Sequence, residues 1–375
     1  MPKRISITLL LCIFVLSIFS CHRKNDSDYI GTHPEFLELE SDITNKALQT
    51  ADSLLASLTL EERVGQCLFP SIFTGSDSAT IQLFKRYIED YHVGGIVLLQ
   101  GDINSARRIA EIGKKADVPL IIAIDAEWGL GMRLNDAPVY PKNGDINYET
   151  EETELFDYGR EVGIQCREIG VNMVLGPVVD ITSHRGGVIG KRSFGKDPEK
   201  VSNFGVAYAK GLESAGVLSV AKHFPGHGST VIDSHKGVAK IKKGISDLDS
   251  IDLKPFRNYV KAGLSGIMAG HIQAFSLDPG GAAASVSVDM LTFLLRDELG
   301  FKGLVLTDAF DMGGAKDFSA TEALKAGADI ILCPADINKE YRELVKNVKS
   351  GVIPLSILND RVRRILFYKV LFLDI

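Results

Sequence analysis

"VLSVAKHFPGHGSTVIDSH" occupies Val217–His235. It opens as an unbroken apolar run and ends in a cluster of titratable side chains. A half-exposed strand alternates apolar and polar residues, whereas a continuous apolar run of this length fits a parallel strand buried on both faces. Seven further runs of the same kind recur along the chain: "CLFPSIF" from Cys67, "GGIVLL" from Gly94, "PLIIAID" from Pro119, "VNMVLGPVVD" from Val171, "SGIMAGH" from Ser265, "GLVLTD" from Gly303 and "DIILCP" from Asp329. Between them lie stretches with helical apolar spacing, such as "INSARRIAEIGKKA" and "VDMLTFLLRDELG". Thr59 and Glu62 have the spacing of a capping box that opens a helix. Eight strands alternating with helices predict an α/β fold, a single (β/α)₈ TIM-type barrel with irregular first strands. A doubly wound sheet has the same periodicity and stays open as the alternative.

Composition agrees with a globular domain. The 375 residues are 45% apolar and 24% charged. A formal charge of −6 argues against nucleic acid as a partner. The chain begins "MPKRISITLLLCIFVLSIFSC": two cations, an apolar stretch too short for a membrane span, then Ser20-Cys21. Residues 1–20 therefore read as a signal peptide. Cys21 resembles a lipobox cysteine that takes lipid, with cleavage without lipidation as the alternative. Residues 21–48 are expected to form a lipidated tether and residues 49–375 the barrel, ending with its last helix. Cys67, Cys166 and Cys333 have neither disulfide nor metal spacing and read as buried thiols.

The residues able to do chemistry follow the apolar runs: Asp125, Asp180, Lys222 with His223, His271 and Asp308. In a barrel these positions share the rim at the C-terminal ends of the strands, where such folds keep their active sites. Three uses of the His223–His235 cluster compete. A zinc site wants His-x3-His on one helical face, but "FPG" between His223 and His227 forbids a regular helix. A phosphate cradle needs a spacing that "GHGST" lacks. Acid/base chemistry fits best, because Asp233 stands two residues from His235 and can orient its ring as a proton shuttle. Asp308 then offers a nucleophilic carboxylate. No cofactor and no metal are required.

"KHFPGHG" followed by "DSH", with "GLVLTDAFDM" further on, resembles glycoside hydrolase family 3, in particular its NagZ-like β-N-acetylglucosaminidases. Ser229 stands where that family usually has Asp. The resemblance implies a retaining exo-β-N-acetylglucosaminidase (a β-N-acetylhexosaminidase) acting on terminal β-linked GlcNAc of muropeptides or related glycans. Asp308 would be the nucleophile and His235, oriented by Asp233, the acid and base. It also implies that Asp125, Arg133, Arg192, Lys222 and His223 hold the sugar. Asp180 and His271 would support these residues from behind, and Met312 would shape the pocket. Trp128 would stack on sugar or pack at the rim. The expected setting is a lipoprotein tethered to a membrane and facing the periplasm. The alternatives are a β-N-acetylglucosaminide or β-glucoside phosphorylase on the same core, a non-catalytic sugar-binding lipoprotein, and a metal-dependent hydrolase.

Overall fold

A computed structural model describes residues 34–74, 77–147, 149–182, 187–230, 237–373 and 375. Each of the eight apolar runs carries strand. The strands are β1 (Leu68–Phe69), β2 (Ser71–Thr74), β3 (Gly95–Gly101), β4 (Ile121–Ile124), β5 (Met173–Val174), β6 (Leu218–Phe224), β7 (Ala239–Ile241), β8 (Gly266–Ala269), β9 (Ile272–Ala274), β10 (Leu304–Thr307) and β11 (Ile331–Leu332). Seven of them form one sheet in the order β10-β8-β6-β5-β4-β3-β2, every neighbour parallel. Apart from β7 and β9, which pair with each other outside it, that order follows the chain without reversal. A doubly wound sheet requires a reversal, so that alternative is set aside.

The expected closed eight-stranded ring resolves into a coarser arrangement, an α/β fold whose parallel sheet forms half a barrel. The run from Cys67 is split at Pro70. Its first half, β1, pairs with β11, and its second half, β2, pairs with β3. Proline has no N–H to carry a ladder across the break. The carbonyl of Pro70 still accepts the Val97 N–H at 2.9 Å. β4, β6, β8 and β10 are buried at every position, which is why their runs are apolar without alternation.

Helices pack on the outside of this sheet. Helix Glu152–Glu168 lies close against helix Pro198–Ser214: a Cβ on Gly159 would meet the Tyr208 carbonyl oxygen at 2.1 Å, and one on Gly211 that of Phe156 at 2.1 Å. Only glycine permits that approach. The capping box at Thr59 and Glu62 is formed. The first helix, Pro34–Ser57, begins inside the stretch expected to be a tether, and that stretch is helical from Pro34 onward. Ala47 and Ala51, one turn apart, are buried, and Leu54 and Leu55 pack against the core behind them. Residues 1–33, with Cys21 and the expected signal peptide, lie outside the described residues. Among the described residues no helix is long and apolar enough to cross a membrane.

The last helix, Leu355–Phe372, runs beneath the N-terminal ends of the strands. Arg364 pairs with Asp329, just before β11; Asp329 also takes Arg296 at 2.6 Å and the Val305 N–H of β10 at 2.7 Å. Further along, Lys369 donates to Gln66, before β1, at 2.7 Å. Phe372 and Leu373 line a surface recess together with Pro119, Asn172 and Gly216, which precede β4, β5 and β6.

Lys369 is wholly buried with a neutral amide as its partner, and burial pushes its amine down to about 7. The unfolded chain therefore holds this proton more tightly than the folded one, so folding loses stability as pH falls from the ordinary lysine value toward 7. Lys369→Met removes this dependence. In urea titrations from pH 9.5 to 7, the variant should gain on the wild type by up to about 1.4 kcal/mol per pH unit as pH falls. A difference that stays constant across this range would show that Lys369 does not titrate there.

Candidate active site

At the opposite, C-terminal ends of the strands is a cleft of about 410 Å³. Asp125 follows β4, Asp180 follows β5, Lys222 and His223 end β6, and Asp308 follows β10. The ladder between β6 and β8 shifts register between Lys222 and Phe224, and Lys222 and His223 both line the cleft. The Lys222–His223 peptide bond is cis. Arg133 returns to Asp125 through a short turn of helix at Leu130–Met132.

One wall is a chain of alternating charges. Arg133 pairs with Asp125, Asp125 accepts Lys222 at 2.7 Å, and Lys222 reaches Glu127 at 2.8 Å. Glu127 in turn takes the Arg192 guanidinium on both oxygens, at 2.7 and 2.9 Å. The Lys222 side chain is 4% exposed and that of Glu127 is 0%. Burial alone would favour the neutral forms of Asp125, Glu127 and Lys222. It is overcome for Asp125 by Lys222 and Arg133, and for Glu127 by Lys222 and Arg192, so both carboxyls are held below their usual range. The same pairs hold the Lys222 amine above its ordinary value. Charged donors and acceptors arranged in this way suit the hydroxyls of a sugar ring.

A second wall starts from Asp180, whose side chain is fully buried. Its Oδ2 lies 2.7 Å from His223 Nδ1, and its Oδ1 accepts the backbone N–H groups of His223 at 3.2 Å and His227 at 2.6 Å. With Nδ1–H donated to Asp180, His223 presents Nε2, 3.5 Å from Arg192 Nη2. His227 lines the cleft and bonds to Thr230 through Nδ1. Burial, followed by His223, lowers its ring below the ordinary histidine value, while Asp180 opposes the shift.

Asp308 stands between these walls. Its Oδ1 accepts the Ala309 N–H at 2.8 Å. Burial opposes its ionisation, yet His223, His271, the Ala309 N–H and Lys222 together hold the carboxyl below its usual value. It is an anion at neutral pH. His271 lies behind it, fully buried, taking Ser285 Oγ at Nδ1 (2.9 Å) and reaching the Ala309 carbonyl from Nε2 (3.0 Å). Met312 lines the cleft. Trp128 is half-buried beneath the Lys142 ammonium, 5.0 Å from the ring centre, and is not among the residues lining the cleft.

The structure thus brings together Asp125, Arg133, Arg192, Lys222, His223 and Asp308, with Asp180 and His271 behind them. Asp233 and His235 fall in residues 231–236, outside the described residues; Ser229, just before them, is exposed. Among the described residues no group of three or more His, Cys, Asp or Glu is placed to hold a metal. The residue that sequence reading missed is Glu127. Its one signal is its place two residues after Asp125, on the same side of an extended segment.

Residues 59–367 match the model of the Glycosyl hydrolase family 3 N terminal domain. Beta-hexosaminidase A of Pseudoalteromonas piscicida is 35% identical over 291 residues, which make up 68% of this chain and 48% of that protein, so the chain spans about half of that relative's length. Beta-hexosaminidase LpqI of Mycobacterium tuberculosis is 33% identical over 330 residues, covering 83% of this chain and 82% of the relative. A solved glycoside hydrolase family 3 beta-N-acetylglucosaminidase from Paenibacillus sp. str. FPU-7 superposes with a TM-score of 0.79 at 30% identity, covering 84% of this chain and 63% of that one.

The electrostatics of the second wall can be tested without substrate. In an NMR titration His227 should titrate below the ordinary histidine value of 6.5, and Asp180→Asn should lower its midpoint further, because it removes an anion that favours the imidazolium. A wild-type midpoint above 6.5 would show that the neighbouring carboxylates, not burial, govern this ring.

Proposed function

The chain belongs to glycosyl hydrolase family 3, and on that premise we propose that it is a retaining, exo-acting β-N-acetylglucosaminidase. The observation that carries this reading is Asp308, a carboxylate kept ionised at a strand end in a cleft walled by paired charges. Asp308 attacks the anomeric carbon and forms a glycosyl ester. His235, oriented by Asp233, gives its proton to the departing glycosidic oxygen. His235 then takes a proton from water, whose oxygen attacks the same carbon and releases Asp308. Asp125, Arg133, Arg192, Lys222 and His223 hold the ring hydroxyls through both steps. A cleft of about 410 Å³ suits a single terminal sugar, which supports exo action.

The finer parts of the reading rest on sequence. The substrates are GlcNAc-ended muropeptides or related glycans. Residues 1–20 direct export, Cys21 carries lipid, and the protein faces the periplasm from a membrane. The barrel closes through β1 and β11, a closure supported by the bridge between Leu306 of β10 and Ile330, just before β11. Hydrolysis is favoured over phosphorolysis by the relatives, which are named as hexosaminidases.

Release of nitrophenol from the β-GlcNAc and β-glucose glycosides tests the substrate class and the nucleophile together. The wild type should prefer GlcNAc, and Asp308→Ala should lose turnover on the order of 10³-fold or more. Added phosphate should leave free GlcNAc as the product; a sugar 1-phosphate would instead establish phosphorolysis. Undiminished turnover by Asp308→Ala would remove the mechanism.

A further inference from the structure

We infer that Glu127 is the positioning residue that sets Lys222 and Arg192 for the sugar, an inference that rests on the glycosidase reading. It joins three strand ends: Glu127 itself follows β4, Arg192 comes from the segment after β5, and Lys222 ends β6. Both of its oxygens are occupied by cations. Oε1 takes Lys222 at 2.8 Å and Arg192 Nη2 at 2.7 Å, and Oε2 takes Arg192 Nε at 2.9 Å. Its side chain is 0% exposed, so it acts through its two partners.

Among the described residues the other anchors of Arg192 are weaker: its Nη2 lies 3.5 Å from His223 Nε2. Its Nη1 donates to the Val188 carbonyl at 3.3 Å, and its own carbonyl accepts Asn143 at 2.8 Å. Among the described residues only Glu127 meets the guanidinium as a fork, and that geometry fixes the guanidinium plane. A glutamine has the same shape but offers one acceptor oxygen and an NH₂ group. The NH₂ would face an N–H of Arg192 or the Lys222 ammonium, donor against donor. Asp125 would then be the one carboxylate left in the wall to serve Arg133, Lys222 and Arg192.

The test is a double-mutant cycle on β-GlcNAc nitrophenol turnover and on GlcNAc binding by calorimetry. Glu127→Gln should lower kcat/KM about 100-fold, mainly through KM, whereas in an Arg192→Met background the same change should cost about tenfold or less. The acid limb of the pH profile should move to lower pH, because removing a buried anion leaves Asp308 among more uncompensated positive charge. Equal losses in both backgrounds, or an unchanged KM and acid limb, overturn the inference while wild-type turnover keeps the glycosidase reading. If Glu127→Gln does not fold, Glu127→Asp decides. It keeps the charge but is too short to serve both partners, so KM should rise, and a wild-type KM overturns the inference. Wild-type protein that neither cleaves nor binds the sugar removes the glycosidase reading and this inference with it.

Discussion

A lysine ammonium can remain charged inside a protein only if carboxylates replace the water it has lost. Lys222 meets that condition with Asp125 and Glu127, and much of the site follows from it. The two carboxylates must stand at the end of β4, across β5 from the lysine at the end of β6, so three neighbouring strands must end level. Each carboxylate then needs a second cation, and these are Arg133 and Arg192. In the wall that results, Asp125, Lys222 and Glu127 each have two oppositely charged partners.

The N-terminal side of the sheet meets the same constraint differently. Asp329 is fully buried and gathers Arg296, Arg364 and the Val305 N–H, which ties the last helix to β10 and β11. There the charges are consumed in holding elements together. At the C-terminal side the charged wall faces an open cleft. The two ends of one sheet thus use similar ion pairs, one set closed on itself and the other lining a space that a ligand can enter.

Much of this was legible in the sequence because burial writes itself into composition. Strands covered on both faces must be apolar throughout, so the eight runs could be found, and the polar residues that end them marked the rim. Pro70 was visible in its run, but which neighbours β1 and β2 would choose was not. The helical start at Pro34 was hidden by a polar stretch before Ala47 and Ala51. Glu127 was missed because its importance lies in a partner 65 residues away, Arg192. Pairings at that distance leave no local pattern. The converse holds for Asp233 and His235: their spacing carries the reading, and they lie outside the described residues.

The last helix beneath the strand ends has a bearing on traffic. The interior above it is filled by side chains from β4, β6, β8 and β10, so a ligand in the cleft has the rim as its way in and its way out. On the proposed glycosidase reading, a terminal sugar enters tip first, and the rest of the glycan trails outside. Once cut free, the monosaccharide lies deeper than the piece it was severed from, and it leaves only after that piece has moved aside. Such a blind recess does not thread a polymer. On that same reading each encounter removes one unit, and the shortened chain must let go before it can offer the next.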